Sequence, residues 1–336
     1  MKFDTSLGFG TDLKDVPVLA RAAEASGFDA MWTTETQHDP FLPLALAAEH
    51  TQRIQFGTAV TIAFARSPVV LAHTAWDLAN LSGGRFILGL GTQVKAHIER
   101  RFGMTWSGKP VSQLREFVLA LRAVWECWRN GTRLNFRGEH YKLTLMTPFF
   151  SPNPIQHPHI PIYIAGVGVP LCKLAGEVAD GFLVHPYHTP KYLAEVIRPA
   201  IEDGAKKAGR TSRDVVVSGT AFVALDEAER EVIRAQIAFY ASTPSYRPVL
   251  DFHGWGAIGE QLSALAARGQ WGEMPALIGD EMLETFAVVA GWDEAADRVK
   301  ARYTGLVDRI AFYRPFVSGS DEEQWRKVIG RMKDEG

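Results

Sequence analysis

The chain has 336 residues, 46% hydrophobic and 22% charged, an ordinary globular composition with enough apolar material for a large core. Disordered, collagen-like and membrane-spanning classes are excluded on that basis. With 36 basic against 38 acidic side chains and a net charge of -2, no broad basic field is available for nucleic acid or an anionic membrane, so the expected partner is a small molecule.

The two cysteines, Cys127 and Cys172, stand far apart, which gives neither a disulfide framework nor a cysteine zinc site and fits a reducing compartment. Asp4 interrupts anything like the apolar core of a secretory signal, so a cytoplasmic protein is expected. The uncharged stretch from Leu143 to Cys172 contains Pro148, Pro152, Pro154, Pro158, Pro161 and Pro170, and therefore reads as a loop and a strand rather than a membrane span.

Short β-branched runs alternate with helical-period segments along the chain, the pattern of βα units around a parallel sheet. A first strand covers Phe3 to Gly8. The helix after it places Val16, Leu19, Ala20 and Ala23 on one face, with Asp15 as its cap, Pro17 in the first turn and Gly27 as the stop. Asp29 to Thr34 and Ile54 to Ile62 are strands two and three. Ser67-Pro68 opens a helix that runs to about Leu81. The apolar run from Arg85 to Gly91 suits a strand buried on both faces. Val111 to Trp128 is an amphipathic helix, and Leu134 to Leu145, broken at Gly138, a small hairpin. Strands five to eight follow at Ile160 to Ala165, Gly181 to His185, Val215 to Ala224 and Val307 to Tyr313. Helices at about Gly168 to Ala179, Tyr192 to Ala208 and Asp226 to Tyr240 separate them, and Asp321 to Lys333 closes the chain.

Eight strands in that alternation predict a (β/α)8 TIM barrel, one domain over 1–336, with insertions at about 101–158 and 242–291. The chemistry of such a barrel sits at the carboxyl ends of its strands. Gly89 and Gly91 end strand four without side chains, either to let a flat ring approach or simply to pack the barrel. Thr92 and Gln93 add short polar groups just beyond. Gly166, Gly168 and Val169 lie where a helix amino end offers its amides to an anion, with a tight turn as the plain alternative. Cys172 follows in the same helix, as a dipole-stabilised thiolate or a small buried residue. The loop Thr34-Glu35-Thr36-Gln37-His38-Asp39 carries acids and an imidazole to the rim; His38 or Glu35 is the candidate catalytic residue for proton transfer, and Glu35 or Asp39 would set the His38 tautomer. His185 and His188 face the same rim as candidate substrate-pocket residues, as do Trp32, Phe64, Trp106 and Trp255. His157-Pro158-His159 and His185-Pro186-Tyr187-His188 lack the spacing of zinc pairs, so no metal is expected. Gly254-Trp255-Gly256-Ala257-Ile258-Gly259 has dinucleotide-loop spacing but follows no apolar strand.

The run from Ser67-Pro68-Val69-Val70 through Ser82-Gly83-Gly84-Arg85 to Leu90-Gly91-Thr92 resembles the luciferase-like monooxygenase superfamily. The resemblance extends to Gly27-Phe28-Asp29-Ala30-Met31-Trp32, Ala165-Gly166-Val167-Gly168 and Ala179-Asp180-Gly181-Phe182. The Phe56-Gly57-Thr58-Ala59-Val60 strand and the Thr34 to Phe41 loop look most like the branch that uses the deazaflavin F420, in its actinobacterial form. That resemblance implies a non-proline cis peptide, placed at Ala59-Val60, backing the deazaflavin ring, and a phosphate at the Gly166 to Val169 turn. It also implies a homodimer. Relatives often carry a histidine directly after the acid matching Glu35, where this chain has Thr36, and a glycine where Gln93 stands.

The implied function is hydride transfer between the deazaflavin C5 and an organic substrate, with the 242–291 insertion closing over the site. The first alternative is an FMN-dependent monooxygenase that uses molecular oxygen. The second is a barrel that binds a flavin or deazaflavin without turnover.

Overall fold

The computed structural model describes residues 1–319 and 321–334. Its strands, in chain order, are β1 (Lys2–Ser6), β2 (Ala30–Thr33), β3 (Gln55–Thr58), β4 (Thr61–Ile62) and β5 (Phe86–Gly91). A small hairpin of β6 (Phe136–Arg137) and β7 (Lys142–Leu143) follows, then β8 (Ile162–Gly166), β9 (Gly181–Val184), β10 (Val216–Ala224), β11 (Ala287–Val289) and β12 (Arg309–Phe312). The order β1-β2-β3-β5-β8-β9-β10-β12 closes on itself through parallel pairs, with Phe3 opposite Ile310 at the seam. This is the expected (β/α)8 barrel.

The helices are α1 (Val16–Ser26), α2 (Leu42–His50), α3 (Pro68–Leu81), α4 (Lys95–Arg100), α5 (Pro110–Asn130), α6 (Val169–Val178) and α7 (Pro190–Tyr192). After them come α8 (Arg198–Lys207), α9 (Glu227–Ala241), α10 (Arg247–Phe252), α11 (Gly256–Ala267), α12 (Asp280–Phe286), α13 (Trp292–Tyr303) and α14 (Glu322–Lys333). Local chemistry explains several ends. Pro17 and Pro68 stand in first turns where the missing N–H costs nothing, and Gly27 stops α1 at φ 101°, a left-handed conformation that a side chain disfavours. Asp15 makes no capping bond to α1; the cap in that loop is Asp12, whose carboxylate accepts from the Lys14 N–H. Asp226 caps α9 through the Glu229 N–H.

Two expected assignments change. Helix α5 falls inside the expected 101–158 insertion, yet it packs between α3 and α6 as one of the ring helices. Helix α9, read as a barrel helix, belongs instead to an excursion with α10, α11 and α12, and the ring position beside α14 is taken by α13. That excursion ends in β11, which extends the sheet by pairing Ala287–Val289 with Phe222–Ala224. Strand three is also divided: its ladder breaks at Ala59 and Val60, whose peptide bond is cis, and resumes at β4 against Leu90 and Gly91.

Inside the barrel, Ala30, Trp32, Ile87, Tyr163 and Leu183 form a small core of their own, on which Ala59, Val60, Ala165 and Val216 pack. In the same interior Arg309 grips the Asp4 carboxylate with two nitrogens at 2.7 and 2.9 Å, and the Trp32 indole N–H donates to Asp4 at 3.0 Å. Arg309 also donates to Gln55 at 2.7 Å. Burial holds the Asp4 carboxyl above the ordinary carboxylate value, and the facing guanidinium offsets only part of that rise. The pair joins the first strand to the last.

Candidate active site at the carboxyl ends of the barrel strands

Side chains alternate along a strand, so the inner core fixes which residues face the barrel mouth. Leu183 is in that core, hence His185, two residues on, faces inward at the rim. Arg309 is bonded inside, and Tyr313 continues the same face, its N–H still bonded to the Ala221 carbonyl. The remaining rim positions are half-buried: Thr34, Ala59, Val60, Thr92, Gln93, Ala165, Gly166, Val167 and Gly168.

Ala59 and Val60 form an apolar step over the inner core. Their carbonyls are turned to the second βα loop, where Thr34 Oγ1 donates to the Ala59 oxygen at 2.9 Å and the Glu35 N–H to the Val60 oxygen at 3.2 Å. The step exists because of the two glycines beside it. A Cβ on Gly89 would lie 1.7 Å from the Thr58 carbonyl oxygen, and one on Gly91 would lie 2.6 Å from Val60 Cγ2. The space left by their missing side chains is therefore taken by strand three, so both glycines shape the step rather than face a ring themselves. Gln93 follows at φ 58°, the left-handed region, which accounts for the glycine that resembling sequences carry there.

Across the mouth, Gly166 ends β8 opposite Val184, and a Cβ on it would meet Leu171 at 2.5 Å. Gly168 is the extended residue before α6, and no backbone acceptor among the described residues takes the N–H of Gly168 or Val169. Those amides open a ten-residue helix and remain free for an anion. Cys172 is not a thiolate: burial pushes its thiol up to about 12.

The second βα loop departs most from expectation. The Glu35 carboxylate is saturated: Thr61 Oγ1 at 3.0 Å, the Ile62 N–H at 2.7 Å and Arg66 at 2.7 and 2.8 Å all donate to it. It is a clamp on the loop, not an available acid or base. Asp39 accepts the N–H groups of Phe41 and Leu42 and meets Arg66 at 3.3 Å. Neither acid orients His38, which is exposed. Thr36 is the residue that sequence reading undervalued: its hydroxyl is buried and has no partner, while its carbonyl accepts from Arg101.

The proposed pocket residues separate. Trp32 is 4% exposed and pinned by its indole N–H to Asp4, so it belongs to the barrel floor. Phe64 is buried against Trp106, and Trp255 stacks on His253 within the excursion. His188 points away from the mouth, its Nδ1 donating to the His185 carbonyl at 2.8 Å and its ring against Tyr303. Burial lowers His188 to about 4 and His185 to about 3, so both are neutral. His185 lines the rim, in company with Tyr240, Tyr246 and Tyr313. Periodicity pointed to none of these tyrosines, because two lie in the excursion. Two shallow cavities of about 180 and 210 Å³, beside Trp125 and Ile160 and beside Arg198 and Val217, lie near the starts of β8 and β10 and are not the mouth.

Comparison with known proteins gives the family and supports the fold. Residues 1–309 match the luciferase-like monooxygenase family. An uncharacterized protein of Mycobacterium tuberculosis is 49% identical over 304 residues, 87% of this chain and 89% of that one. The 5,10-methylenetetrahydromethanopterin reductase of Archaeoglobus fulgidus is 30% identical over 344 residues, 98% of each chain. Among solved structures, the coenzyme F420 dependent tetrahydromethanopterin reductase from Methanopyrus kandleri superposes with a TM-score of 0.79 at 25% identity, covering 98% of this chain and 97% of that one. No helix among the described residues is long and apolar enough to cross a membrane. The chain belongs to the luciferase-like monooxygenase family.

Proposed function

We propose that this chain is an F420-dependent oxidoreductase that moves a hydride between the deazaflavin C5 and an organic substrate. The observation that carries the reading is the pairing of an apolar step at Ala59 and Val60 with free amides at Gly168 and Val169. The reductases of known cofactor among its relatives give the cofactor its name.

The residues present fit such a group. Ala59 and Val60 offer a flat, half-buried apolar surface with its carbonyls turned aside, suited to one face of a planar heterocycle. The Gly168 and Val169 amides hold a phosphate without a basic side chain. When bound, a reduced deazaflavin supplies a hydride at C5 and takes it back in the reverse direction. The protein's own part is positional: the Glu35–Arg66 clamp fixes the loop that carries Thr34 and Thr36, and the strand-three step sets the depth of the ring.

A substitution at Val169 tests the anion site without disturbing the helix. Proline is well tolerated at a first helical position, and Gly168 already has the extended backbone that precedes proline. Val169→Pro removes one N–H, so F420 should bind about tenfold more weakly or worse, as for a lost bond to a charged group. Unchanged affinity would remove the phosphate from this turn. FMN is the competing occupant, because the same step and amides serve any phosphate-tailed flavin. Oxygen uptake by the reduced, loaded protein separates the two.

A further inference from the structure

At the carboxyl ends of β9, β10 and β12, a set of aromatic hydrogen-bonding side chains stands apart from the surfaces already given to the cofactor. His185 lies 4.6 Å from the Tyr246 ring and 4.8 Å from the Tyr240 ring, centroid to centroid. Tyr187 is 5.9 Å from Tyr246 and 6.1 Å from Tyr240, and Phe222 is 5.0 Å from Tyr313. His185, Tyr240, Tyr246 and Tyr313 are each half-buried, so this wall borders open space.

The protons in this wall can be assigned. The Tyr187 backbone N–H donates to His185 Nδ1 at 3.1 Å, which requires that nitrogen to be bare. The imidazole is neutral, so its one proton is on Nε2, and that N–H donates to the Tyr246 oxygen at 3.2 Å. Tyr246 is therefore an acceptor toward His185 and has its own O–H left over. Tyr240 and Tyr313 share one hydrogen bond of 2.8 Å, and one of their two phenol protons is left over as well. Burial holds Tyr240 and Tyr246 above the ordinary phenol range, so both stay protonated.

We infer that this wall is the substrate-oxygen subsite, in which Tyr246, held by the neutral His185, donates a hydrogen bond to the carbonyl oxygen of a small, uncharged ketone or aldehyde with an apolar body. The chemistry of the wall selects that class. Both spare groups are donors, and a carbonyl oxygen has two lone pairs and no proton of its own. The charged group beside the wall, Arg247, is turned to Glu260, the Gly256 carbonyl and Ser263, so a carboxylate or phosphate would find no dedicated counter-charge there. The rings surround the acceptor with apolar area, which favours a hydrocarbon body over a sugar or a pterin. Tyr246 touches the substrate in this account; His185 is a positioning residue that fixes the phenol's direction. The inference rests on the barrel mouth being the reaction site, as proposed above.

Acetophenone, carbon-13 labelled at its carbonyl, is the probe, with ethylbenzene as a reference of the same body and no oxygen. The full chain should bind acetophenone more tightly than ethylbenzene and lower its carbonyl stretching frequency relative to the ketone in hydrocarbon solvent. Tyr246→Phe should abolish most of that frequency shift and weaken acetophenone about three- to tenfold, the range of one neutral hydrogen bond, while leaving ethylbenzene unchanged. His185→Gln, which keeps a donor toward Tyr246, should retain part of the shift, whereas His185→Phe should lose it. Circular dichroism and F420 fluorescence titration confirm that each variant is folded and loaded. The inference is overturned if acetophenone binds no better than ethylbenzene, or if Tyr246→Phe leaves the carbonyl frequency where it was. A chain that fails to bind F420 but keeps the Tyr246-dependent shift would remove the cofactor reading and leave this subsite standing. F420 binding without the shift would do the reverse.

Discussion

The barrel floor and the barrel mouth of this molecule handle polar groups in opposite ways. In the floor, Asp4, Arg309, Trp32 and Gln55 bind one another in a closed set, and Arg309 and Asp4 have side chains only 3% and 1% exposed. At the mouth, the Gly168 and Val169 amides are free and Tyr246 keeps a spare proton. Buried polar groups ordinarily find partners. In this barrel the saturated set holds the strands together, and the groups left short at the rim are those assigned to a ligand. Glu35 shows the rule within the mouth itself: although it stands at the rim, its saturation places it with the scaffold.

The largest effect should come from the floor. Asp4→Ala leaves the Arg309 guanidinium buried and unpaired, which should cost about 3–5 kcal/mol in urea denaturation. A loss below about 1 kcal/mol would mean that the ion pair does not join the seam. Gly89→Ala should follow, because its methyl would occupy the position of the Thr58 carbonyl; about 1–3 kcal/mol is the usual cost of such overpacking. Wild-type stability there would show that strand three can retreat from the step.

Glu35→Gln sharpens the comparison at the mouth. It should destabilise by about 1.5–3 kcal/mol through the weakened bonds to Arg66, Thr61 and Ile62, and weaken F420 binding without changing the pH profile of turnover. A lost acidic limb in that profile would restore Glu35 as a proton-transfer residue.

The histidines give a pH test. His185 and His188 are pushed by burial to about 3 and about 4, whereas in the unfolded chain they titrate near the ordinary value. Between those limits the unfolded state binds more protons, so stability should be full above about pH 6.5 and fall as the pH drops toward 4. The slope is at most about 1.4 kcal/mol per pH unit for each histidine. Denaturation of the chain and of the His185→Gln/His188→Gln double variant between neutral pH and pH 5 should show the variant with the shallower slope; equal slopes would mean that the histidines are not buried neutral. The smallest effect belongs to Gln93→Gly, which should stabilise by up to about 1 kcal/mol by removing a side chain from left-handed backbone.

Sequence periodicity located the barrel because strands buried on both faces, such as Phe86–Gly91, are continuously apolar and the ring helices repeat at 3.6. It missed β11, since three residues inside a helical excursion carry no period. It exchanged α9 for α13 because amphipathicity shows that a helix is packed, not what it is packed on. In the site, the Gly166 to Val169 turn was legible, being a local feature. Glu35 was misread because its partner Arg66 is 31 residues away in the chain, and no spacing rule links them. The Tyr246–His185 bond, across 61 residues, was invisible for the same reason.

The central claim is that a planar, phosphate-tailed deazaflavin lies on the Ala59–Val60 step. Parallel fluorescence titrations of the full chain with F420 and with FMN address it directly. The account predicts saturable F420 binding at least about tenfold tighter than FMN, weakened by Val169→Pro as a lost charge-assisted bond requires. Tight FMN binding with no F420 binding would contradict it, and so would the absence of binding by either.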